Sequence, residues 1–84
     1  MAGNAFEDID CHGMTVQEAL SAVERIVRNA DRSVYVIRVI HGFHGGTRIR
    51  DAILDEYSYG RNPKVKEVRG GFNEGITELV LKPL

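Results

Sequence analysis

The sequence predicts an α/β fold, a two-layer sandwich in the order β-α-β-α-β-β with a mixed four-stranded sheet and two helices on one face. Three observations carry this expectation. Apolar residues recur at helical spacing from Val16 to Ala30, behind a capping box. The stretch "VYVIRVI" at 34–40 is β-branched and almost continuously apolar, as a central strand buried on both faces would be. Finally, a strand on either side of the first helix implies a parallel pair joined by a right-handed crossover, while the last two strands lie close enough to pair as a hairpin. With only two helices to place, one covered face is the simplest arrangement.

The first strand candidate runs from Phe6 to Cys11. Alternation puts Ile9 and Cys11 on one face and Asp10 and His12 on the other. Gly13 ends the strand. Thr15 then opens "TVQE", in which Glu18 reaches back to the Thr15 amide. Val16, Ala19, Leu20, Val23, Ile26, Val27 and Ala30 form the apolar stripe of the helix, which breaks at "DRS". After the central strand, residues 42–46 form a glycine-rich loop. Thr47 is placed to cap a second helix with a stripe of Ile49, Ala52, Ile53 and Tyr57. "SYGRNPK" is a loop by composition. Val65–Val68 and Thr77–Leu81 are the last two strands, joined through "GGFNEG".

The 84 residues make one domain, 1–84, with its core at about 6–82. The composition is 43% hydrophobic and 27% charged, ordinary for a globular domain. A formal net charge of −1 argues against a strong, sequence-blind grip on nucleic acid, although a local basic patch remains compatible with it. The single cysteine, Cys11, rules out an internal disulfide and fits a reducing cytoplasm. The first ten residues lack the basic and apolar regions of a secretory signal. No apolar run approaches the roughly 20 residues of a membrane span. Nothing in the sequence specifies an oligomeric state.

"IDCHGMT" at 9–15 and "VIHGFHGGT" at 39–47 each end a strand in His-Gly just before a helix. If the two strands are parallel, their carboxyl ends share one edge of the sheet, where ligands bind in open α/β folds. That expectation brings Asp10, His12 and His41 to one region. Asp10 and His12 make an acid/base pair, since a histidine needs only a modest shift from about 6.5 to serve at neutral pH. The plainer alternative is that all three bond local backbone at turns. The amides of Gly45, Gly46 and Thr47 are placed to meet an anion at the start of the second helix. Arg48 and Arg50 stand in its first turn, where cations disfavour the helix itself and an anionic partner would explain them. Between Arg38 and Arg69 there are 7 basic residues against 4 acidic ones, which an ordinary solvated surface also explains. Phe43 at the loop tip is suited to stacking on a base or to packing on Tyr57. No ligand spacing specifies a metal among Asp10, His12, His41 and His44. Cys11, facing away from His12, reads as a small core residue.

These residues carry a resemblance. "IDCHGMTVQEAL" resembles the Leu-Asp-Leu-His-Gly-Leu-Thr-x-x-Glu-Ala opening of the Smr (small MutS-related) domain family. "RVIHGFHGGTRIRDAI" is similar to its second motif, His-Gly-x-Gly-x-Gly before a helix, and "GGFNEGITELVLK" to its closing segment. The resemblance runs from about Ile9 to Lys82. It implies the same β-α-β-α-β-β sandwich, DNA or RNA as partner, and in several members an endonuclease that nicks or cleaves phosphodiester bonds. It maps the acidic residue and histidine of the first motif onto Asp10 and His12. The second motif falls on His41, Gly42, Gly45 and Gly46. The sequence departs from the pattern at "HGFHGG", where His44 replaces a glycine, and at Cys11, which replaces a leucine.

Two functions therefore compete. In the first, Asp10, His12 and His41 cleave a nucleic acid whose phosphate is held by Gly42, Gly45, Gly46, Thr47, Arg48 and Arg50, and a divalent metal would enter only with cleavage. In the second, the same edge is a non-catalytic module for nucleic acid or protein, which the net charge and the altered glycine loop favour.

Overall fold

The computed structural model describes residues 5–42, 46–71 and 73–82. Its elements are β1 (Phe6–Asp10), α1 (Val16–Asn29), β2 (Val36–Ile40), α2 (Arg48–Tyr57), a single 3-10 turn (Ser58–Gly60), β3 (Glu67–Gly70) and β4 (Ile76–Val80). The four strands form one sheet in the order β1-β2-β4-β3. β1 and β2 are parallel, and β4 runs antiparallel to both of its neighbours. This is the α/β mixed sandwich that the periodicities imply.

Each helix is anchored by local chemistry. The Thr15 hydroxyl accepts from the Glu18 amide at 3.1 Å, and the Glu18 carboxylate accepts from the Thr15 amide at 3.0 Å. Two of the amides that a helix start leaves unpaired are thereby satisfied. At the other end of α1, Lys64 Nζ donates to the carbonyls of Arg28 and Ala30 at 3.0 and 3.1 Å, placing a cation where the helix dipole favours one. α1 buries Ala19, Val23 and Val27, and α2 buries Ile53 and Tyr57. These pack with Cys11 and with Ile37, Val39 and Leu79 from the inner strands to make one core.

The opposite face of the sheet carries a row of charges, one from each strand in register: Asp8, Arg38, Glu78 and Arg69. Arg38 Nε donates to Asp8 at 2.7 Å and Arg69 Nε donates to Glu78 at 2.9 Å. Arg38 also lies 5.0 Å from the centre of the Phe6 ring. Exposed pairs of this kind stabilise little. They do explain how the otherwise apolar β2 accommodates an arginine, since that side chain lies flat across the uncovered face.

Several boundaries differ from the expectation. β2 begins at Val36 rather than Val34, because Tyr35 pairs outside the ladder: its amide donates to Ala5 and its carbonyl accepts from Leu81 and Lys82. β3 begins at Glu67 rather than Val65. The Val65 amide closes a turn onto the Asn62 carbonyl at 3.0 Å, and its side chain is buried in the core. β4 begins one residue early, at Ile76. No helix among the described residues is long and apolar enough to cross a membrane.

Candidate functional site

The parallel pairing of β1 and β2 brings both His-Gly segments to one end of the sheet. At the end of β1, Asp10 Oδ1 accepts from His12 Nδ1–H at 2.6 Å and from the His12 amide at 3.1 Å. Both side chains are open to solvent, with 57% of Asp10 and 73% of His12 accessible. The bond from the His12 ring, followed by that from its amide, holds the Asp10 carboxyl below the usual carboxylate range. The same bond, with the carboxylate charge behind it, raises the His12 imidazole above its ordinary value. With Nδ1 committed to Asp10, the ring presents Nε2 outward. This is how a carboxylate fixes the tautomer of a working histidine. Between the two, the Cys11 thiol is buried and pushed up by that burial, so it is a core group and not a nucleophile.

His41 lies elsewhere. It is 7% exposed and points to the helix side of the sheet, away from the Asp10–His12 pair. Its Nδ1–H donates to the Gly42 carbonyl at 2.7 Å, and Nε2 lies 2.8 Å from the Thr77 hydroxyl. A carbonyl only accepts, so Nδ1 carries a proton, and the Thr77 hydroxyl is the partner of Nε2. Both ring nitrogens are thus occupied within the fold. The expectation that all three side chains converge holds for the backbone and not for the imidazoles. Gly42 is the meeting point. A Cβ built on it would stand 3.7 Å from the His12 Cβ, and its φ of +73° is one that glycine adopts without strain.

Beside Gly42 a cleft of about 280 Å³ opens between the starts of the two helices. Its walls include Thr15 and Val16 from α1, Arg48 and Arg50 from α2, and His41, Gly42 and Gly46 between them. Thr47 occupies the N-cap position of α2 without capping it: its hydroxyl donates to Asp51 at 2.9 Å and no helix amide bonds to it. Among the described residues no side chain caps the first amides of α2, and two arginines stand beside them, Arg50 paired with Asp51 at 3.3 Å. Of the phosphate-binding candidates, Gly42, Gly46, Arg48 and Arg50 line this cleft, while Thr47 is not among its walls. Gly45, with Phe43 and His44, lies outside the described residues. Among the described residues no three His, Cys, Asp or Glu side chains gather as a metal site.

Thr77 stands outside the two His-Gly motifs. Its signal is present in "ITELVL", where Thr77, Leu79 and Leu81 alternate onto one apolar face. A threonine in that file is an inward polar group that needs a partner.

The model of the Smr domain family matches residues 9–76 of the chain. Among solved structures, the Smr domain of Thermus thermophilus MutS2 superposes with a TM-score of 0.79 at 27% sequence identity, covering 92% of this chain and 99% of that one. None of the curated proteins compared with the chain matches it.

Proposed function

Because the chain belongs to the Smr domain family, we propose that it binds nucleic acid at the shared edge of β1 and β2 and cleaves a phosphodiester there, with His12 carrying the proton. The exposed Asp10–His12 pair is the observation that carries this reading. His12 Nε2 takes the proton from the attacking oxygen as that oxygen bonds to phosphorus; the opposite phosphorus–oxygen bond breaks and its leaving oxygen takes a proton from water, while Asp10 holds the other ring nitrogen in its protonated form and stabilises the imidazolium that results. The phosphate sits in the adjoining cleft, facing Arg48, Arg50, Gly46 and the uncapped amides of α2. His41 is a positioning residue that pins the Gly42 carbonyl and so fixes the backbone that passes beside His12. Should cleavage need a divalent metal, Asp10 and His12 are the side chains at this edge with the chemistry to ligate it.

The test is nicking of supercoiled plasmid and cleavage of structured RNA, with and without divalent metals, by wild type, His12→Ala and Asp10→Asn. A base must be neutral to act. The pKa of His12 is raised, so the rate should climb with pH through a value above about 6.5. Asp10→Asn should lower the plateau and shift that climb to lower pH. Cleavage that survives His12→Ala unchanged overturns the reading. The net charge of −1 favours the second reading, a binding module without catalysis. Salt-sensitive binding that weakens in Arg48→Ala/Arg50→Ala, with no cleavage under any metal, would establish it.

A further inference from the structure

A second cleft, of about 410 Å³, lies between α2 and the β3–β4 hairpin. It shares Arg50 with the first. His41 lines one cleft and Thr77 the other, and these two side chains are bonded to each other, so the clefts adjoin along that contact. The second differs in character. Leu54 gives it an apolar wall, Gly70 and Gly71 contribute backbone alone, and Asn73 and Glu74 bring polar groups to its rim.

Gly70 explains why the space exists. The register pairs Val68 with Leu79 and Gly70 with Thr77, so position 70 faces the helix side as Val68 does. A side chain there would fill the gap toward α2. Four of the described glycines, Gly13, Gly42, Gly46 and Gly60, adopt positive φ, and Gly71 is held by a contact with Ile76 that leaves no room for a Cβ. Gly70 meets neither condition: its φ is not in the left-handed region, and an added Cβ would find nothing within 4 Å. Glycine in a strand weakens it and marks a place where something approaches closely. Here no part of the described chain makes that approach.

We infer that this second cleft is a nucleobase subsite, which takes the base of the nucleotide whose phosphate occupies the first. The inference rests on the proposed phosphate site and adds to it the part of the substrate that is read. A base has two apolar faces and a polar edge. The cleft offers Leu54 to one face, and to the edge the carboxylate of Glu74 and the amide of Asn73. Asn73 Oδ1 already accepts from the Gly75 amide at 2.8 Å, which leaves its NH₂ to donate. A base can enter only from a single strand or after leaving its stack, so the subsite selects unpaired nucleotides.

Titration of the whole protein by NMR with nucleoside 5′-monophosphates, ribose 5-phosphate and inorganic phosphate tests this. Wild type should bind at least one nucleoside monophosphate about tenfold more tightly than ribose 5-phosphate. Gly70→Val should abolish that preference and leave ribose 5-phosphate binding unchanged. Its melting temperature should be equal to or above that of wild type, since valine suits an edge strand better than glycine. Glu74→Gln, an exposed change in the hairpin, should weaken monophosphate binding several-fold and spare ribose 5-phosphate. Arg48→Ala should weaken all three ligands. If wild type binds ribose 5-phosphate as tightly as every monophosphate, or if Gly70→Val and Glu74→Gln keep the preference, the base subsite is overturned and the phosphate site stands. If no phosphate compound binds, both are overturned.

Discussion

Thr77→Val separates a structural pin from a catalytic group at His41. Valine has the shape of threonine, so the change opens no cavity and removes only the hydroxyl. That hydroxyl lies 2.8 Å from His41 Nε2, and the two residues are 2% and 7% exposed. Without it, the ring nitrogen is left in the interior with no partner. Such a loss costs about 1–3 kcal/mol, the desolvation penalty of an orphaned buried group rather than the smaller net value of a bond. For a domain of this size each kcal/mol lowers Tm by about 4–8 °C, so urea and thermal melts resolve the effect easily. Removing both polar partners should cost less than the two single changes together. His41→Leu/Thr77→Val is therefore expected to be milder than additive by at least about 0.5 kcal/mol. The variant also has a functional readout. On the proposed mechanism the pH at which cleavage rises is set by Asp10 and His12, so Thr77→Val should leave it in place. A Thr77→Val protein as stable as wild type, or one with a displaced pH profile, would refute the placement of His41 inside the fold.

Two further changes probe the backbone. A Cβ at Gly71 would stand 2.6 Å from Ile76 Cγ2 and 2.7 Å from Ile76 Cβ, so Gly71→Ala should destabilise the hairpin by about 1–3 kcal/mol in urea denaturation, the cost of overpacking. An unchanged midpoint would show that the two residues are not in contact. Tyr59 is 96% exposed with φ 61° and ψ 30°, a conformation that asparagine tolerates better than an aromatic residue. Tyr59→Asn should raise stability by about 0.5–1 kcal/mol, and a lower Tm would mean that the ring makes contacts in the folded state.

The features legible in the sequence are those set within a short stretch of chain. Thr15 and Glu18 are three residues apart and the capping box needs nothing else, so α1 forms as its spacing predicts. Asp10 and His12 are two apart on one strand, and their shared face follows from alternation alone. Distant pairings set the rest. The start of β2 depends on Tyr35 bonding both Ala5 and the segment after β4. Thr47 fails as a cap because its backbone, at φ −114° and ψ 17°, is not in the extended conformation of a capping residue, and its hydroxyl meets Asp51 one turn on. The space at Gly70 appears only when α2 is laid over β3.

The two His-Gly segments look equivalent in sequence and are not equivalent in the sheet. β1 and β2 pair with an offset of 30 residues throughout, from Phe6 with Val36 to Asp10 with Ile40. The step from His12 to His41 is 29. A strand that is one residue out of step presents its side chain to the opposite face. His12 is thus level with Gly42, whose φ of +73° suits glycine, and His41 is level with the inward-facing Cys11. Past the ends of the two strands the His12 ring projects into solvent, while the His41 ring turns into the fold and bonds Thr77. The odd offset separates the two: one histidine faces solvent with a carboxylate behind it, and the other is turned inward, bonded to the Gly42 carbonyl and to Thr77. Any reaction at this edge must therefore use one imidazole, and His12 is the one with a nitrogen free to meet a substrate.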